Sequence, residues 1–380
     1  MRHTVRVAVV VVLVLGSVYA VAWATADRYG ASRAVAWLQA DTGDIHRFPA
    51  RPVAAGSEAR ELPLGAELLL AEAWDVGDPG AFLERTRTAA FLVVHDGAIR
   101  YEWYRDDGGQ DELRTSFSVA KSVVSTLVGL AVEDGAIGSI DDPITDHLPE
   151  LLERDPRFAR ITIRDLLTMS SGLRYVERSL PWSDDARTYY ATDLRAVALS
   201  ARIDHPPGER FLYNNYNLLL EGMILERATG RRVADYLAER LWQPMQAEAD
   251  ASWSLDSERS GFEKMESGLN AVARDYARFG LLFADDGRVA GRQVVPEDWV
   301  RLATSRGPET GPSSGYALHW WTGRFDGTPL PDGHVMAAGN HGQFVYVAPD
   351  QDVVVVRLGD AYGTDHWPEL FARVVADVAG

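Results

Sequence analysis

Hydrophobic periodicity changes character repeatedly along this chain, and each change predicts a different kind of element. Residues 7–24 form an uncharged, mainly apolar run with no polar face. That is near the length of a membrane-spanning helix and long for the core of a signal peptide. Residues 27–80 show no sustained period apart from a short helical candidate at 66–74, and their Ala, Gly, Pro and Arg content predicts a leader or linker. Strand patterning starts at 88–94, turns at His95-Asp96-Gly97 and resumes at 98–104, so a β-hairpin is expected. A buried helix is predicted from a Thr115-Ser116 cap to about Glu133-Asp134-Gly135. Further helices are predicted near 162–169, 215–228, 233–241 and 271–283, several closed by glycine. Strands return at 315–321, 344–348 and 353–358, and a closing helix is expected over 368–378. Strands at both ends with helices between them predict a mixed α/β (α+β) fold. In it a mostly antiparallel sheet, assembled from the two ends, is covered by helices and joined to a mostly helical subdomain.

Composition narrows the setting. A chain of 380 residues has ample material for a large core, and a formal charge of −17 excludes nucleic acid and a basic patch for anionic lipid. There is no cysteine, so disulfides, thiol nucleophiles and cysteine-based metal sites are excluded. Arg2, His3 and Arg6 precede the apolar run, which orients the start towards the cytoplasm and exports the rest. Either the run stays as a single-pass signal anchor, giving a membrane-attached protein, or Ala24-Thr25-Ala26 is a cleavage site and residues 1–26 leave as a signal peptide.

Lysine occurs only twice, at Lys121 and Lys264, while every other basic side chain is arginine. Arginine holds its proton permanently, whereas a desolvated lysine can become neutral and accept one from a hydroxyl. Lys121 lies three residues after Ser118, and positions i and i+3 share one helix face. Ser118 would sit in the first turn, where free N–H groups favour a developing oxyanion. A Ser and a Lys three apart also arise by chance, so the pair gains weight only from its surroundings.

Three further segments supply those surroundings. Residues 161–173 (ITIRDLLTMSSGL) look like the stretch after the nucleophile helix of serine beta-lactamase-related hydrolases. Residues 206–215 (PPGERFLYNN) resemble the Tyr-x-Asn element of the class C beta-lactamase and DD-peptidase branch. Residues 338–347 (AGNHGQFVYV) resemble the last sheet strand of that branch, most closely its 6-aminohexanoate-dimer hydrolase and esterase members. The resemblance covers roughly residues 81–380. It implies a catalytic set of Ser118 as nucleophile, Lys121 as proton acceptor and Tyr213 as proton relay with a phenol pKa lowered by Lys121. It also implies that Asn215 donates to the substrate, with His341, Gly342 and Gln343 at the substrate wall and the Gln343 N–H completing an oxyanion hole with that of Ser118. The substrate would be a small-molecule ester or amide.

Other readings of these residues stand beside it. Tyr213 can be a core aromatic, Asn214 a helix cap and His341 a packed strand histidine. Residues 262–270 are similar to the family stretch that runs beside the pocket, which implies that Lys264 or Glu266 contacts substrate; the other reading of both is solvated loop charges. Trp182, Tyr189, Tyr190, Trp320 and Trp321 are candidates for an apolar rim. Asp141-Asp142 and Asp184-Asp185 read as turn residues, so no metal or cofactor is called for. Where beta-lactamases carry Lys-Thr-Gly this chain has Asn340-His341-Gly342, which weakens a beta-lactamase or penicillin-binding peptidase reading. A non-catalytic binding protein on the same fold would have no reason to keep Ser118, Lys121 and Tyr213 together.

Overall fold

The computed structural model describes residues 9–20, 30–70, 74, 76–105, 109–178, 180–313 and 315–379. Two antiparallel sheets organise them. The larger has seven strands: β2 (Thr88–His95), β3 (Ala98–Tyr104), β7 (Tyr316–Ala317), β8 (Trp320–Trp321), β9 (Val335–Gly339), β10 (Gln343–Ala348) and β11 (Val353–Gly359). Their order is β3-β2-β11-β10-β9-β8-β7, so the predicted hairpin near the start meets the last strand, with Val94 opposite Val354 and Leu92 opposite Val356. The expected sheet built from both ends is therefore present.

Alternation along β2 separates two cores, as a period of two requires. Ala90, Leu92 and Val94 face a helical layer comprising α2 (Val119–Glu133), α3 (Asn215–Thr229) and α4 (Ala273–Ala284). Phe91 and Val93 face the opposite side, packed with Trp74, Trp367 and Phe371, the last two on α5 (Trp367–Ala379). Helix α2 ends as its sequence predicts, with Asp134 as C-cap and Gly135 at φ 70°.

The segment read as a leader is part of the body, which corrects that expectation. It contains α1 (Ala31–Trp37) and β1 (Ala50–Val53). β1 forms the edge of the second sheet, β1-β5-β6-β4, with β4 (Arg114–Thr115), β5 (Ala251–Ser254) and β6 (Leu269–Ala271). Trp74 is fully buried, and its Nε1 donates to Leu370 O at 3.2 Å. The pairing partners of this segment lie some two hundred residues away, so no local period announces them.

Of the apolar N-terminal run, residues 9–20 are helical with exposed side chains, and its two ends lie outside the described residues. Among the described residues no helix is long and apolar enough to cross a membrane.

Candidate active site

Ser118 is the N-cap of α2, and from Thr115 to Ala131 it is the one residue that is not buried. Phe117, just before it, has φ 42°, a conformation that costs a non-glycine residue on the order of 1 kcal/mol or more. The turn so formed brings Ser118 to the floor of a cleft of about 1080 Å³. Lys121 Nζ lies 2.8 Å from Ser118 Oγ and 3.0 Å from the Glu266 carbonyl oxygen. The amine is 1% exposed, and burial drives its pKa down from 10.5 to about 7, against the opposing pull of Glu266, Glu221 and Glu177.

Tyr213 completes the expected set in space. Its hydroxyl is hydrogen-bonded with Ser118, its ring centroid lies 4.9 Å from Lys121 Nζ, and it stacks on Trp321 at 6.0 Å. Its titration runs opposite to expectation: burial raises the phenol pKa, and the Ser118 hydrogen bond only partly offsets this. Packing against Trp321 and Tyr316 removes the water that a phenolate needs, and this outweighs the neighbouring amine.

The remaining wall residues divide. Asn214 is a cap, its side chain accepting from Tyr216 N at 2.9 Å, as its alternative reading has it. Asn215 lines the cleft, but its Nδ2 already donates to the Tyr175 hydroxyl at 3.0 Å and to Thr188 Oγ1 at 3.4 Å. The Thr188 hydroxyl proton goes to backbone carbonyls, so Thr188 must accept, and Asn215 is left with an unpartnered Oδ1. The expected donor role is thereby taken up inside the protein.

His341 lines the cleft at φ 58°, and its Nε2 donates to Ala40 O at 2.9 Å. Gly342 and Gln343 stand back from the cleft, correcting both assignments. An added Cβ at Gly342 would lie 2.0 Å from the Arg357 guanidinium, and the Gln343 side chain is spent on Gly359 O at 2.6 Å and Gly359 N at 3.1 Å. Across the β9–β10 turn Gly339 pairs with Gln343, which puts Gln343 one strand further from the nucleophile. Gly339 is the residue beside Ser118: a Cβ there would lie 2.4 Å from Ser116 O and 2.9 Å from Ser118 N. Asn340, next along, lines the cleft.

Lys264 and Glu266 are buried rather than solvated. They pair at 3.0 Å, and Lys264 Nζ lies 3.9 Å from the Tyr189 ring and 4.5 Å from that of Phe48. Burial lowers the Lys264 pKa, and Glu266 opposes the shift. Tyr189, Tyr190 and Trp321 line the cleft; Trp320 is fully buried beneath it, and Trp182 is exposed outside it.

One polar group had no place in the sequence argument. Glu221 and His319 are both fully buried, with His319 Nε2 at 2.9 and 3.0 Å from the two carboxylate oxygens. Tyr316 lies 3.2 Å from His319 Nδ1, and Ser122, adjacent to Lys121, donates to His319 O at 2.7 Å. The available signal was a carboxylate placed between the apolar runs 218–220 and 223–225 of a buried helix.

With this geometry in hand, the comparisons are specific. The chain belongs to the Beta-lactamase family, whose model matches residues 80–373. It is 30% identical over 326 residues to the 6-aminohexanoate-dimer hydrolase of Paenarthrobacter ureafaciens, covering 78% of this chain and 79% of that one. A Bacillus anthracis protein provisionally described as a 6-aminohexanoate-dimer hydrolase shares the fold with a TM-score of 0.73, at 23% identity over 87% of this chain and 90% of its own. A penicillin-binding protein homologue from Caulobacter crescentus does so with a TM-score of 0.62, at 16% identity over 82% and 99%. The protein is thus a hydrolase of the beta-lactamase fold.

Proposed function

We propose that the protein cleaves a small ester or amide through an acyl-enzyme on Ser118. The observation that carries this reading is the 2.8 Å contact between Ser118 Oγ and the amine of buried Lys121, whose pKa desolvation lowers to about 7. Neutral Lys121 takes the Ser118 proton as Oγ attacks the carbonyl, and the oxyanion settles against the N–H groups of Ser118 and Asn340. Tyr213, kept protonated by burial, is suited to donate towards the leaving group and to recover its proton from Lys121. Water then hydrolyses the acyl-enzyme by the reverse sequence. Asn215 offers Oδ1, an acceptor for a substrate N–H.

Substrates with a free carboxylate fit poorly. Glu177, Asp185, Glu266 and Asp326 line the cleft against Arg178, and neither Lys nor Arg occurs in the Asn340-His341-Gly342 turn that follows β9. The relative's printed substrate, a 6-aminohexanoate dimer, makes a linear amide the first compound to try. The apolar N-terminal run supports an exported enzyme that acts outside the cytoplasm, anchored or released. The test is labelling by a fluorophosphonate probe together with turnover of p-nitrophenyl esters, nitrocefin and linear amide dimers. Wild type should be labelled and Ser118→Ala should not; absence of Ser118-dependent label and turnover refutes the reading.

A further inference from the structure

One wall of the cleft comes from the segment that precedes the family match. The family match begins at residue 80, whereas Ala34, Val35, Leu38, Gln39 and Ala40 line the cleft. This strap is pinned at several points. Arg33 Nη1 donates to Asp256 O at 2.6 Å, Thr42 Oγ1 to Asp360 Oδ1 at 2.9 Å, the Tyr189 hydroxyl to Asp44 at 2.9 Å and His341 to Ala40 O. Trp37 packs edge-on against Phe48 and Tyr190 with centroids 5.0 and 5.9 Å apart.

The strap nevertheless leaves Val35 49% and Leu38 78% exposed, and Leu38 is held at φ 67°. Scattered exposed apolar side chains need no explanation. These are not scattered: outside the 9–20 helix, nine large apolar side chains stand exposed among the described residues, and four of them line this one cleft. They are Val35, Leu38, Leu180 and Tyr362. A fixed backbone that presents apolar side chains to water, in continuity with a nucleophile, is the form of a subsite for an apolar ligand.

We propose that the strap makes an acyl-chain subsite, so that the substrate is an ester or amide whose acyl part is an unbranched apolar chain lying against Val35, Leu38 and Leu180. This rests on Ser118 acylation and adds the identity of the acyl group. Each methylene withdrawn from water should strengthen transition-state binding until the subsite is filled.

The experiment is a p-nitrophenyl ester series from acetate to decanoate on the full chain, with Ser118→Ala as control and the double variant Val35→Asn, Leu38→Asn as probe. In wild type kcat/KM should rise at least about tenfold from acetate to octanoate. In the double variant the octanoate-to-acetate ratio should fall about tenfold, with the change in KM and the thermal midpoint preserved. A flat or falling series in an enzyme that still shows Ser118-dependent label overturns the subsite alone, as does an unchanged ratio in the variant. Loss of Ser118-dependent turnover on every ester overturns the acyl-enzyme reading instead.

Discussion

At the scale of single residues, burial lowers the pKa of both lysines, and their neighbours differ. Lys121 faces a hydroxyl and a carbonyl oxygen, neither of which holds its proton, so desolvation prevails and the amine approaches neutrality. Lys264 is lowered by the same burial, but the Glu266 carboxylate paired with it opposes the shift, and its amine also donates to Tyr189 O and lies over two aromatic rings. As the base must be unprotonated, kcat/KM should fall about tenfold per unit as the pH drops below about 7 and level off above it, before other groups titrate. A pH–rate profile on a neutral ester checks this; a flat profile from pH 5 to 8 would remove Lys121 as the base. Lys121→Arg keeps a charge but cannot give up its proton, so it should lose about 10²–10⁴-fold in kcat/KM, nearly as much as Lys121→Ala. The Ser118–Lys121 pair was legible because i,i+3 geometry is local. The fate of Lys264 was not, because Phe48 and Tyr189, which bury it, lie 216 and 75 residues away.

At the scale of elements, patterning gave the hairpin, the nucleophile helix and the last two strands close to their observed bounds, whereas 315–321, expected as one strand, is the two short antiparallel strands β7 and β8. Registers between them were beyond it. The Gln343 oxyanion assignment failed because the pairing of Gly339 with Gln343, a tertiary fact, decides which strand faces α2. Close packing of α2 makes a test whose sign separates propensity from fit. A mid-helix Gly→Ala change normally stabilises by about 1 kcal/mol. At Gly129, however, the new Cβ would lie 2.3–2.5 Å from ring atoms of Trp299, and overpacking of that kind costs about 1–3 kcal/mol. Gly129→Ala should therefore lower the thermal midpoint; a rise would mean that Trp299 moves aside freely.

At the scale of the whole molecule, the boundary suggested by sequence character and the boundary drawn by packing differ. Composition made residues 27–80 look like a tether, yet Trp74 sits fully buried among Phe82, Phe91 and Trp367 at centroid distances of 5.0–6.4 Å. Trp74→Ala should cost about 3–5 kcal/mol, read as a lower midpoint in chemical denaturation. A cost below about 1 kcal/mol would show that this segment is dispensable to the body.

The bond from His341 to Ala40 joins the strand end beside Ser118 to a segment that precedes the family match. On one side stand the strand end and helix that hold the reacting atoms; on the other stands a short segment in which no residue assigned to bond making or breaking is found. Residues 31–40 can therefore drift, lengthen or be grafted while Ser118, Lys121 and Tyr213 stay under selection for one geometry. Diversity among close homologues should gather in that segment, and a library confined to it would be the economical place to begin redirecting the enzyme to a new compound.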